Sequence, residues 1–211
     1  MRHSTGRKDV VPGLHSAGYL ILPSRTRPSL IVQLRRTVRY RIFGMETQVP
    51  EARRLAAILQ DEDVLLDSQV KTKSALLAAA AEHLGRATGT ASGALLEALA
   101  DREKLGSTAI NHGIAVPHAA IDGLAAPAAV AFRLAQPIEF EASDSDPVDL
   151  VFVVIWPSGK RSELLLALGG LCRTLRGGTV RQELRKASSR AEIRQILAES
   201  GARGTSEPSD G

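Results

Sequence analysis

The stretch Val148–Trp156 (VDLVFVVIW) constrains this chain more than any other. From Leu150 to Trp156 it is uninterrupted apolar sequence, rich in β-branched and aromatic side chains. A strand with one wet face alternates apolar and polar residues. This run has no polar face to offer, so it reads as a central strand covered on both sides. It is far below the roughly 20 apolar residues that a membrane-spanning helix needs, and no membrane insertion is expected. Such a strand requires helices on two layers, and the flanking patterns supply them.

Pro50–Gln60 places Leu55, Ile58 and Leu59 on one helical stripe, and Val64–Leu66 is a short run suited to a strand. Thr72 is placed to cap a helix running to about Arg86, with Leu76, Leu77, Ala80 and Leu84 at core spacing. Thr90 or Ser92 can cap the next, which carries Leu95, Leu96 and Leu99 to Glu103. Gly113–Pro117 and Ala128–Leu134 read as strands, the first stopped by its proline. Glu163–Leu175, Val180–Lys186 and Arg190–Ala198 are three further helical segments. The order predicts an α/β fold, a central mixed β-sheet flanked by helices on both faces.

The body spans 46–200. Residues 201–211 (GARGTSEPSDG) read as a disordered tail, and 1–45 as a basic, disordered extension. Of 27 basic and 23 acidic residues, nine and one fall in 1–44, leaving 18 and 22 in 45–211. The net charge of +4 therefore belongs to the extension. With no basic excess on the body and only 3% aromatics, no nucleic-acid partner is expected. The only methionines are Met1 and Met45, so Met45 is an alternative start. A single cysteine, Cys172, excludes an internal disulfide and a Cys-based zinc module, and its leucine-rich surroundings make it a small core hydrophobe.

GxGxxG, Walker A, GxSxG and HExxH patterns are all absent. No cofactor and no metal are expected. The acidic group Glu139, Glu141, Asp144, Asp146 and Asp149 reads as a solvated loop, His112 as a turn residue and His83 as helix packing.

The chemistry concentrates in Asp101–Ala119 (DREKLGSTAINHGIAVPHA). A helix ends near Lys104, a Gly-Ser-Thr turn follows, and a short strand stops at Pro117-His118. That places the His118 imidazole at a sheet edge, where α/β proteins gather their sites. Gly106, Ser107, Thr108 and Gly113 can bring N–H groups and hydroxyls to an anion, and Arg102 adds a guanidinium. A neutral imidazole beside fixed anion donors suits phosphoryl capture. A loop histidine and an exposed helix arginine would give the same spacing without that chemistry.

REKLGST, GIAVPHA and QPIEFEASDSDPVDLVFVV, in this order and spacing, resemble the mannitol/fructose-type enzyme IIA domains of the phosphotransferase system, most of all the nitrogen-regulatory enzyme IIA. The resemblance spans about Pro50 to Ala198 and implies an α/β sandwich around a mixed sheet. It makes His118 the phosphoacceptor (tele nitrogen), receiving a phosphoryl group from the carrier HPr or a nitrogen-branch counterpart. Arg102, Ser107 and Thr108 are implied as the phosphate pocket. One departure stands out. The family's second histidine, at the start of the helix after the central strand, is replaced by Leu164, or by Glu163 in a register one residue shifted. Leucine removes a hydrogen-bond donor from the pocket, whereas glutamate would repel a dianion.

The resemblance therefore implies a cytoplasmic, bacterial phosphohistidine carrier, a transferase component rather than a stand-alone turnover enzyme. Its phosphorylation state would regulate kinases, transporters or metabolic enzymes. No sugar-transporting IIB or IIC segment is seen in the sequence, which favours regulation over sugar import. The donor is expected to dock on an apolar rim of Ile114, Val116, Ile121 and Leu164. The rival reading is a regulatory binding module that works without phosphorylation, its phosphotransfer weakened by Leu164.

Overall fold

The computed structural model describes residues 51–203. The expected extension over 1–45, and residues 204–211 of the expected tail, lie outside them. The chain begins with helix α1 (Glu51–Ile58), a 3₁₀ turn (Asp61–Asp63) and strand β1 (Val64–Ser68). Helices α2 (Lys73–Thr88) and α3 (Ser92–Lys104) follow. Then come strands β2 (Ile114–Ala115), β3 (His118–Ile121), β4 (Ala128–Ile138) and β5 (Val148–Pro157). After a second 3₁₀ turn, helices α4 (Arg161–Arg176), α5 (Gly178–Lys186) and α6 (Arg190–Arg203) complete the described chain.

The sheet runs β1-β4-β5-β2, with β3 also paired to β5. β4 and β5 are antiparallel, while β1 on β4, and β2 and β3 on β5, are parallel. The sheet is mixed. Alternation along β5 explains its composition. Leu150, Phe152, Val154 and Trp156 belong to a core with Leu55 of α1, Leu59 just after it, Leu164, Ala167 and Leu171 of α4, and residues of α5 and α6. Val151, Val153 and Ile155 belong to a second core with Leu76, Leu77 and Leu84 of α2 and Leu95 and Leu99 of α3. Both faces of β5 are dry, so neither set of alternate positions tolerates a polar residue. Complete burial of each large apolar side chain stabilises the fold by roughly 1.5–3 kcal/mol.

The edge strand departs from expectation. The apolar run does not stop at Pro117. Ile114 pairs with Leu150, Ala115 with Val151 and His118 with Val154, so β2 and β3 share one register on β5 across the proline. The Pro117 carbonyl accepts the Val154 N–H at 2.9 Å, which carries the ladder through the residue that has no N–H of its own. His118 therefore opens the second half of an edge strand.

Thr72 caps α2 as its spacing implies, its hydroxyl accepting the Ala75 N–H at 3.2 Å. Neither Thr90 nor Ser92 caps α3. Ala91 occupies the N-cap and makes no side-chain cap bond, while the Thr90 hydroxyl accepts a bond from Thr88 instead. α6 continues to Arg203, past the Ala198 limit read from the periodicity.

Candidate functional site

The site lies where the end of α3 meets the edge strand. His118 is half-buried. Its partner Val154 belongs to the α1/α4 core, so strand pairing turns the imidazole to that face of the sheet. Ring nitrogen Nδ1 lies 2.9 Å from the Val116 carbonyl oxygen. A carbonyl only accepts, so Nδ1 carries the proton and donates. Nε2 is then the nitrogen with the lone pair, and it accepts the Arg102 Nε–H at 3.1 Å. Arg102 also donates from Nη1 to the Gly106 carbonyl at 3.1 Å, which anchors the guanidinium to the turn after α3. Burial pushes the imidazole pKa below its ordinary value of 6.5, with the Arg102 charge acting the same way. The hydrogen bond to Val116 and the Glu103 charge oppose them but do not prevail. The neutral nucleophilic form is favoured near pH 7.

Ser107 and Thr108 turn their hydroxyls into the framework. The Ser107 hydroxyl donates to the Phe140 carbonyl at 2.5 Å. The Thr108 hydroxyl donates to Glu103 Oε2 at 2.6 Å, and its N–H donates to Glu103 Oε1 at 3.1 Å. Leu164, the position where the resemblance implies a second imidazole, is 5% exposed and packs in the α1/α4 core. Glu163, the alternative in a shifted register, pairs with Lys160 at 3.5 Å. The indole N–H of Trp156 is buried without a hydrogen-bond partner among the described residues.

The expected docking rim is not a rim. Ile114, Val116, Ile121 and Leu164 are all core residues, because strand pairing and α4 cover them. Among the described residues, the exposed large apolar side chains are Leu105 (84%), Leu165 (68%) and Leu166 (47%). Leu105 sits three residues beyond Arg102. It follows the last residue of α3, and at a helix end sequence spacing does not distinguish a leucine that misses the core.

Other residues fall into separate roles. His83 bonds the fully buried Asp63 at 2.9 Å, a pairing that sequence separation concealed. The acidic group divides. Asp149 forms a bidentate ion pair with Arg185, both contacts at 2.7 Å, whereas Asp144 accepts the His112 N–H at 2.8 Å. His112, in its turn, lies with Asp144 and Asp146 so that ligand atoms of all three fall within 4.8 Å of one another. All three are exposed, and nothing else at that corner points to a cation. Gly113, beside them, has φ +77 and leaves no room for a Cβ, which would stand 2.7 Å from Arg185 Nη2. Cys172 is partly exposed and belongs to neither core, unlike the core position its leucine-rich surroundings imply, and partial burial raises its thiol pKa, which disfavours the reactive thiolate.

Comparison with known proteins matches residues 57–200 to the family model of the phosphoenolpyruvate-dependent sugar phosphotransferase system, EIIA 2. The chain belongs to this enzyme IIA family. Within it, a nitrogen regulatory protein of Bradyrhizobium diazoefficiens is 35% identical over 141 residues, covering 67% of this chain and 92% of that protein. One of Klebsiella oxytoca is 32% identical over 152 residues, covering 72% of this chain and 94% of the relative. The crystal structure of nitrogen regulatory protein IIA-Ntr from Neisseria meningitidis superposes with a TM-score of 0.66 at 32% identity, over 68% of this chain and 99% of that one. The mixed sheet with helices on both faces is the enzyme IIA fold. None of the described helices is long and apolar enough to cross a membrane.

Proposed function

We propose that this enzyme IIA accepts a phosphoryl group on Nε2 of His118 from an HPr-like phosphocarrier. Its phosphorylation state then regulates partner proteins in the cytoplasm, and the regulatory part of that reading is in line with relatives named nitrogen regulatory proteins. The observation carrying this reading is the division of labour on one ring, Nδ1–H to Val116 and Nε2 toward Arg102. In the transfer, the Nε2 lone pair forms the new N–P bond while the donor's bond to phosphorus breaks and its electron pair stays with the donor. The Nδ1 proton remains in place, and the Val116 carbonyl stabilises the positive charge that the ring acquires. Arg102 gives up its bond to Nε2 and offers the same N–H groups to the phosphoryl oxygens.

Ser107 and Thr108 serve as the frame of the pocket, and Leu164 as its apolar wall. Without the second imidazole, one donor to the phosphoryl group is lost, a cost of about 1.5–3 kcal/mol in transfer. The donor docks against exposed Leu105 rather than the buried residues of the edge strand. Leu164 also favours the second reading, a binding module that works without phosphorylation. Incubation with a phosphorylated HPr-type carrier separates the two. Acid-labile label on wild type, absent from His118→Ala, supports the phosphocarrier. A folded wild type that never labels leaves the binding module.

A further inference from the structure

Glu103 is unusual among the acids of the site because it is almost wholly buried, at 7% exposure. A buried carboxylate is costly unless its oxygens are fully engaged. Here they are. Oε1 accepts the Thr108 N–H at 3.1 Å and faces Lys73 Nζ at 3.3 Å, and Oε2 accepts the Thr108 hydroxyl at 2.6 Å. Lys73 is itself held, 3.3 Å from Glu141 and 5.2 Å above the Phe140 ring. Thr108, gripped at two points, offers its carbonyl to the Val116 N–H at 2.9 Å. Val116 in turn accepts the Nδ1–H of His118 at 2.9 Å. An unbroken series of hydrogen bonds thus runs from the ammonium of α2, through a carboxylate of α3, to the ring that faces Arg102.

We infer that Glu103 is a positioning residue: through Thr108 and Val116 it holds the His118 ring as the Nδ1–H tautomer, leaving Nε2 as the nucleophile. The inference rests on the phosphocarrier reading for its purpose, though the geometry it asserts does not need a donor. Three features set it apart from ordinary loop packing. The carboxylate is adjacent in sequence to Arg102, so one helical turn fixes both the anion donor and the anchor of the nucleophile. Both hydrogen-bond donors of Thr108 point to it. The path ends on the one ring nitrogen whose protonation decides which nitrogen reacts.

The test compares Glu103→Ala, Glu103→Gln and Thr108→Val with wild type by ¹⁵N NMR of the His118 ring at pH 8, where the ring is neutral. Wild type should show a single Nδ1–H tautomer. Glu103→Ala should show a mixture of both, and Glu103→Gln, which keeps an acceptor for Thr108, should restore most of the wild-type pattern. Phosphorylation by phosphoramidate, a small donor that needs no docking surface, should slow by about tenfold in Glu103→Ala and by much less in Glu103→Gln. Should Glu103→Ala not fold, Thr108→Val decides, because it removes only the 2.6 Å bond and should also mix the tautomers. Unchanged tautomers in folded variants overturn the inference, even if their melting temperatures fall. If the tautomers mix as expected but wild type takes no phosphoryl group from phosphoramidate or carrier, the positioning role stands and the phosphocarrier reading fails.

Discussion

Replacing Arg102 by lysine keeps a positive charge but not the fork that serves two acceptors. The native side chain reaches His118 Nε2 from Nε and the Gly106 carbonyl from Nη1, both at 3.1 Å. A lysine ammonium is a single point on a flexible stem and cannot hold the turn and meet the phosphoryl group in fixed geometry. One charge-assisted hydrogen bond is worth about 1.5–3 kcal/mol, so Arg102→Lys should slow phosphoryl acceptance about tenfold to 150-fold. Arg102→Met, which also removes the charge, should be slower still. The assay is the rate of label transfer from a phosphorylated HPr-type carrier under single-turnover conditions. An NMR titration of the His118 ring provides an independent readout. Burial is the main cause of its low pKa and persists in Arg102→Met, but the guanidinium's contribution is gone, so the pKa should rise from its wild-type position. A transfer rate within threefold of wild type in folded Arg102→Met would refute the clamp. A pKa that falls or stays fixed would refute the electrostatics.

The depressed pKa of His118 means that acceptance should stay on its plateau as pH falls through 6.5 and decline only below it. By the same sign, the neutral ring's contribution to stability is present above 6.5 and lost as pH falls through the lower folded value, which urea melts of wild type against His118→Ala should reveal. Leu164→His should restore a donor and speed transfer, while burying an imidazole in a core should lower stability by about 1–3 kcal/mol, read from urea midpoints. Leu105→Glu should raise the KM for the phosphorylated carrier with little change in kcat, since its side chain is exposed and outside the core. Gly113→Ala should cost about 1–3 kcal/mol from its positive φ alone, and more from the contact with Arg185. Gly123→Ala, with φ +72 but open space around it, should show only the first part in thermal unfolding.

The sheet was legible because burial on two sides leaves a mark in composition. No alternation survives in Leu150–Trp156, and each of its two registers meets its own layer of helices. His118 and Arg102 were legible as a pair because a helix end and a strand, joined by a short turn, bring positions 16 apart into contact. What stayed hidden was direction. Pro117 looks like a stop until the ladder is seen to run through its carbonyl. Ser107 and Thr108 have hydroxyls that could face an anion or the framework, and only the positions of Phe140 and Glu103 decide. Glu103 carries no signal of its burial between Arg102 and Lys104, since a charged residue near a helix end ordinarily faces water. Ile114, Val116 and Ile121 looked like a rim because a short apolar strand at an edge does not announce what covers it.

The constant offset between β2–β3 and β5 has a practical meaning for anyone who would cut or lengthen this protein. His118 takes its height along the sheet from its neighbour Val154, as a rung takes its height from the rail, while the bonds to Val116 and Arg102 set how its ring is turned. Extra residues grafted at the exposed turn between Asp122 and Gly123 would leave that height unaltered, so this turn is where a tag or a sensor could be inserted without disturbing the ring.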